Sequence, residues 1–206
     1  PGRPQLKART GSLMNFVEAT TEDRRRPGEI RLHGPEAFAG MRKAGALVSK
    51  CLDELTDIVK AGLPTSVIDD FVRDFAFSHG AYPATLMYRG YRYSTCTSIN
   101  HVVCHGMPGD RGLKEGDIVN IDVTFIVDGW YGDQSETFLI GEVSDEARQV
   151  TQCAFDCLYL AIDAITPDCR IAVIGETIVA EAAKYGFGVV DKFVGHGIGR
   201  RFHQRP

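Results

Sequence analysis

Apolar positions along the chain follow a helical period first, then break into short runs, and the same order then begins again. From Pro35 to about Ala61, Phe38, Met41, Ala44, Val48, Cys51, Leu55 and Ile58 recur at three- and four-residue steps, the mark of an amphipathic helix. Gly62 and Pro64 stop it. Ser66 with Asp69 has the form of a capping box, opening a second helix through Val67, Phe71 and Phe75 to its stop at Gly80. A short strand is expected from about Ile99 to Cys104, ending at His105-Gly106, and a hairpin follows. After Gly141 the order repeats: a helix from about Ser144 to Ile165, a shorter one from about Ala172 to Tyr185, then a strand in "FGVVDKFV" that reaches His196-Gly197. Both halves therefore read helix, helix, strand, His-Gly. The implied fold class is α/β (α+β), a pseudo-two-fold αα-β-hairpin repeat with its second half incomplete.

The hairpin contains the first chemical anomaly. Asp122 interrupts Ile118, Val119, Ile121, Val123 and Phe125, a run that otherwise reads as a buried strand. An ionised carboxylate there must be paired, protonated or metal-bound. Asp128-Gly129 signals a two-residue turn that needs positive φ at both positions. A turn centred there pairs Val127 with Trp130, Thr124 with Asp133 and Asp122 with Ser135. Side chains alternate with period two, so Asp122 and Asp133 become diagonal neighbours on one face, with Cβ atoms roughly 7 Å apart. A salt-bridged aspartate beside an exposed turn aspartate is one reading. A cation held between the two is the other.

Composition narrows the field without deciding it. The net charge of −4 gives no electrostatic case for nucleic acid, and no apolar run approaches the ~18 residues of a membrane span. The six cysteines form no C-x-x-C pair, which suits a reducing, cytoplasmic setting. Residues 1–28 are polar, rich in Arg and Pro, and lack a secretory core. They are expected to be a disordered extension to a folded domain spanning 29–206, with Met14 a candidate start. Their Arg, Ser and Thr content also fits a cleaved transit peptide.

Three histidines stand out. His105 lies in "VVCHGMPG", and His196 and His203 lie in "GHGIGRRFH", beside glycines that let backbone approach a ligand closely. His33 and His79, at helix ends, read as incidental. Mixed Asp and His ligation suits Mn, Fe, Co or Zn, and a bridging carboxylate suits two-metal hydrolysis. The first half also carries an insertion. Gly80 to His105 is 25 residues, against 10 from Gly186 to His196, and the extra stretch is dense in tyrosine. An aromatic loop beside a polar site is a candidate substrate pocket, and tyrosines simply packed on the domain are the plain alternative.

"STCTSINHVVCHGMPGD", "GDIVNIDVTFIVDGWYGD" and "GHGIGRRFHQRP", in this order, resemble type I methionine aminopeptidases, the bacterial ones in particular, over Gly28 to Pro206. The resemblance implies the pita-bread fold and removal of the N-terminal initiator methionine from nascent proteins, with two divalent metal ions (Co, Mn, Fe or Zn) as cofactors. It implies Asp122, Asp133 and His196 as metal ligands, Asp133 bridging both ions, and His105 and His203 as the catalytic histidines that contact the scissile peptide. Tyr88, Tyr91, Cys96 and Phe202 match positions lining the methionine pocket, and Thr85 falls at a further, variable one. The expected partner is the N-terminal methionine of nascent peptides, met close to the ribosome by a cytoplasmic monomer, with no nucleic acid or membrane involved. The family adds two glutamates downstream of His203. This sequence ends three residues after it, so these 206 residues alone are expected to be impaired. Another enzyme of the same fold, such as an Xaa-Pro aminopeptidase, and a catalytically dead binding module are the rival readings.

Overall fold

A computed structural model describes residues 15–18 and 29–204. The expected extension, residues 1–28, falls largely outside that range. Its described piece is β1 (Asn15–Glu18), paired in parallel with β2 (Glu29–Leu32). Helices α1 (Pro35–Leu55) and α2 (Thr65–Ser78) follow, then the two-residue β3 (Tyr82–Pro83), β4 (Thr95–Ile99), and a long hairpin of β5 (Ile118–Val127) and β6 (Trp130–Leu139). Two more helices, α3 (Asp145–Asp163) and α4 (Ala172–Lys184), complete the order.

β5 is the centre of an antiparallel sheet. β6 runs along one side of it, while β4 and then β3 line up along the other. The odd-numbered residues of β5 (Val119, Ile121, Val123 and Phe125) are fully buried against Val48, Leu52 and Leu55 of α1 and Ile68, Val72 and Phe75 of α2. Both helices therefore cover one face. The even-numbered residues Asn120, Asp122 and Thr124 face the other way, and that face carries the polar chemistry. The second helical pair closes on its own small core of Cys153, Cys157, Ile178, Ala182 and Phe187. Among the described residues no helix is long and apolar enough to cross a membrane.

Three local expectations require correction. Ser66 and Asp69 do not form a capping box. The Ser66 amide donates to Gly109 O at 2.9 Å, and Asp69 Oδ1 accepts from the amides of Ser94 (2.6 Å) and Thr95 (3.1 Å) instead. The strand expected at about Ile99 to Cys104 lies earlier, at Thr95–Ile99. Asn100 turns the chain with φ of 51°, and Val102 and Val103 point to solvent. "FGVVDKFV" forms no strand, because no neighbouring strand among the described residues takes its backbone groups; Val189, Val190, Phe193 and Val194 are exposed.

Candidate active site

The β5–β6 turn has the expected form. Asp128 (φ 51°) and Gly129 (φ 78°) occupy it, and the register pairs Val127 with Trp130, Thr124 with Asp133 and Asp122 with Ser135. Because Cys96 of β4 pairs with Asp122, its side chain joins the same face. Asp122 and Asp133 thus sit diagonally on the polar side of the sheet. Asp133 lies on the outer strand, yet its side chain is only 23 % exposed. Its Oδ1 accepts from Thr124 Oγ1 at 2.8 Å.

The two histidine segments reach this face by different routes. His105 has φ of 55°, and the next residue runs directly against β4: a Cβ on Gly106 would stand 2.2 Å from Thr97 O. Glycine is required there, and the close approach fixes His105 over the sheet. The other segment is a tight loop closed by reciprocal bonds between Gly197 and Gln204, at 2.7 and 2.9 Å. It is tied to the hairpin where the Tyr131 amide donates to Gly199 O at 2.9 Å and where the Arg200 guanidinium lies 4.3 Å from the Trp130 ring. From this loop His196 places Nε2 3.6 Å from Asp133 Oδ2, while Nδ1 is 3.1 Å from Gly197 O. The His203 ring lies 4.3 Å from that of His196, and its Nδ1 is 3.1 Å from Tyr88 Oη.

A cavity of about 450 Å³ lies between these elements. Asp122, Asp133, His196, His105 and His203 line it. So do Thr85, Tyr88, Tyr91, Cys96 and Phe202, and the fold gathers all of the residues singled out in the sequence into one space. The pocket wall is held rigidly. Tyr91 Oη is within hydrogen-bond distance of the carbonyls of Thr95 (3.0 Å) and Gly106 (3.2 Å), Thr85 Oγ1 donates to Tyr93 O at 3.0 Å, and Phe202 stacks on Tyr131. Two lining residues, Arg89 and Met107, were not anticipated. Their signal was adjacency: Arg89 stands between Tyr88 and Gly90 in the aromatic insertion, and Met107 stands two residues after His105.

Electrostatics single out Asp122. Burial pushes its carboxyl up to about 7, and the neighbouring Asp133 carboxylate adds to the shift, with His196 opposing it. Burial also lowers His203, helped by His196 beside it, so its imidazole is neutral near pH 7. Burial raises the Cys96 thiol to about 11, leaving it an uncharged wall group. No lysine or arginine among the described residues pairs with either aspartate. Two carboxylates without a cationic side chain, with an imidazole whose other nitrogen faces a carbonyl, are a donor set suited to a divalent metal ion. Among the described residues, no three such groups are already drawn up around one point as ligands. The set is assembled but not closed.

Comparison with known proteins identifies the family. Residues 39–206 match metallopeptidase family M24. The chain belongs to that family. Within M24 it is 45 % identical over 177 residues to the methionine aminopeptidase of Rickettsia prowazekii, covering 86 % of this chain and 68 % of the relative. It is 41 % identical to methionine aminopeptidase 1 of Dictyostelium discoideum, spanning about half (52 %) of that protein. The crystal structure of the Rickettsia enzyme superposes with a TM-score of 0.84 over 86 % of this chain and 71 % of its own. An Xaa-Pro dipeptidase from Bacillus anthracis matches with a TM-score of 0.72 at 15 % identity, a likeness of fold alone. The fold is the pita-bread fold of M24, and membership implies a divalent metal cofactor.

Proposed function

We propose that the protein of which this chain is part removes the N-terminal methionine from newly made polypeptides by metal-assisted hydrolysis of the first peptide bond. The observation that carries this reading is one cavity in which two aspartates, neither paired with a lysine or arginine among the described residues, meet three histidines and an aromatic wall. Asp122, Asp133 and the Nε2 of His196 would hold the metal, read here as two divalent ions. Bound there, the metal supplies positive charge that polarises the scissile carbonyl and makes water acidic. His203, neutral and oriented by Tyr88, and His105, fixed by the Gly106 contact, hydrogen-bond the scissile peptide and steady the charge that develops on its oxygen. Tyr91, Cys96, Phe202 and Thr85 enclose an unbranched thioether and exclude water from it. The same reading makes the enzyme a cytoplasmic monomer acting close to the ribosome.

The test is peptide hydrolysis by the full-length protein loaded with Mn²⁺ or Co²⁺. Met-Ala-Ser should release methionine, with Leu-Ala-Ser slower by roughly ten-fold or more because a branched side chain fills the pocket poorly. Faster turnover of Ala-Pro-Ser than of Met-Ala-Ser would replace this reading with that of an Xaa-Pro peptidase.

A further inference from the structure

Arg89 is a lining residue for which the proposed chemistry has no use, and its setting is unusual. Met87 (φ 64°), Arg89 (φ 49°) and Gly90 (φ 87°) all occupy the left-handed region, closing a turn in which the Met87 amide donates to Tyr91 O at 2.7 Å. Side-chain-bearing residues adopt that conformation at a cost of roughly 1–2 kcal/mol each. The turn directs Arg89 over the Tyr88 ring, with its guanidinium carbon 5.3 Å from the centroid. Tyr88 in turn contacts His203. The guanidinium therefore stands on the imidazole side of the cavity, exposed, and among the described residues it has no carboxylate partner.

This placement sets a direction for the substrate. The methionine side chain is enclosed by Tyr91, Cys96, Phe202 and Thr85, and the first peptide bond lies against His105 and His203. The chain beyond that bond then leaves on the imidazole side, where Tyr88 contacts His203 and carries Arg89 over its ring. A guanidinium offers five N–H donors in a flat fork suited to carboxylates and to backbone carbonyls. We propose that Arg89 determines specificity for the downstream part of the substrate, favouring polypeptides with an acidic residue at the third position and disfavouring those with a basic one. This rests on the peptidase reading above.

The test uses the full-length, metal-loaded protein with Met-Ala-Asp-Ser, Met-Ala-Ser-Ser and Met-Ala-Lys-Ser. Wild type should show kcat/KM for the Asp peptide about five-fold above that for the Lys peptide, expressed mainly in KM and shrinking as salt rises from low to physiological strength. Arg89→Gln should bring the ratio to within about two-fold, Arg89→Lys should keep at least about half of the preference, and Arg89→Glu should invert it. An unchanged ratio in Arg89→Gln, or a wild-type preference for the Lys peptide, would overturn the proposal. If none of the three peptides is cleaved, the peptidase reading fails on its own. The charge order is then read from calorimetric binding of the same peptides, where loss of the Asp preference in wild type would overturn the role of Arg89.

Discussion

Asp122 is held in an uncomfortable state by its own fold. It is buried on β5 with Asp133 diagonal to it, and its carboxyl is pushed up to about 7. The folded chain therefore keeps a proton that the unfolded chain, with an ordinary carboxyl near 4, has already released. Between about pH 4 and pH 7 the native state binds more protons, so stability of metal-stripped protein should fall as pH rises through that window and level off above it. The loss should be on the order of 1–3 kcal/mol, read from urea midpoints at pH 4.5 and 8. Asp122→Asn should flatten this dependence and also abolish tight divalent-metal binding; a slope that persists in the variant would mean another group is responsible. At this scale much was legible beforehand. The face shared by Asp122 and Asp133 followed from the Asp-Gly turn and period two, whereas the roles of His105, His203 and the tyrosines rested on resemblance. Arg89 and Met107 were missed because exposed residues in an irregular loop carry no periodic signal.

Elements were legible where the pattern alone defines them and not where a partner does. α3, α4 and the hairpin register stand close to where spacing put them, while α1 starts at Pro35 as expected but ends at Leu55, about six residues short of Ala61. β4 escaped because "TCTSI" is short and polar, its Thr95, Thr97 and Ser98 buried through packing and sheet pairing rather than by apolar alternation. Helix-to-sheet packing adds a constraint that spacing cannot show. A Cβ on Gly132 of β6 would come within 2.5 Å of the Ala44 carbonyl carbon in α1, and backbone on both sides leaves little room to yield. Gly132→Ala should force the helix away from the hairpin and cost roughly 1–3 kcal/mol, measured by chemical denaturation. Since Asp133 is the next residue, the variant should also weaken metal affinity. Unchanged stability would show the contact to be soft.

At the level of the whole molecule the two halves differ in how completely they are covered. The first half buries its helices on the sheet. In the second, Phe155, Leu158, Tyr159 and Ile162 recur along α3 at helical spacing, each 52 % exposed or more. A contiguous apolar stripe of that kind marks a surface that meets something else. The relatives carry more chain than this one spans. The 206-residue chain by itself is therefore expected to bind an apolar fluorescent dye strongly and to self-associate, whereas the full-length protein should bind it several-fold less. Equal dye binding by both would show that the stripe stays open in the complete protein. The second helical pair was visible in the order of elements. The exposed stripe was not, because sequence periodicity says which face of a helix is apolar and not whether anything lies against it.

The knot between Gly199 and Tyr131, reinforced by Arg200 reaching Asp128 O from 72 positions away, sets a timetable for assembly. The paired acids come together as soon as one local ribbon folds, while the imidazole loop must first travel back across the intervening helices. Chains halted during synthesis before Gly195 would carry both acids in an open-faced groove with no imidazole from that loop to help. The ability to capture an ion should then rise in a single late step, when the loop docks, rather than growing gradually with chain length.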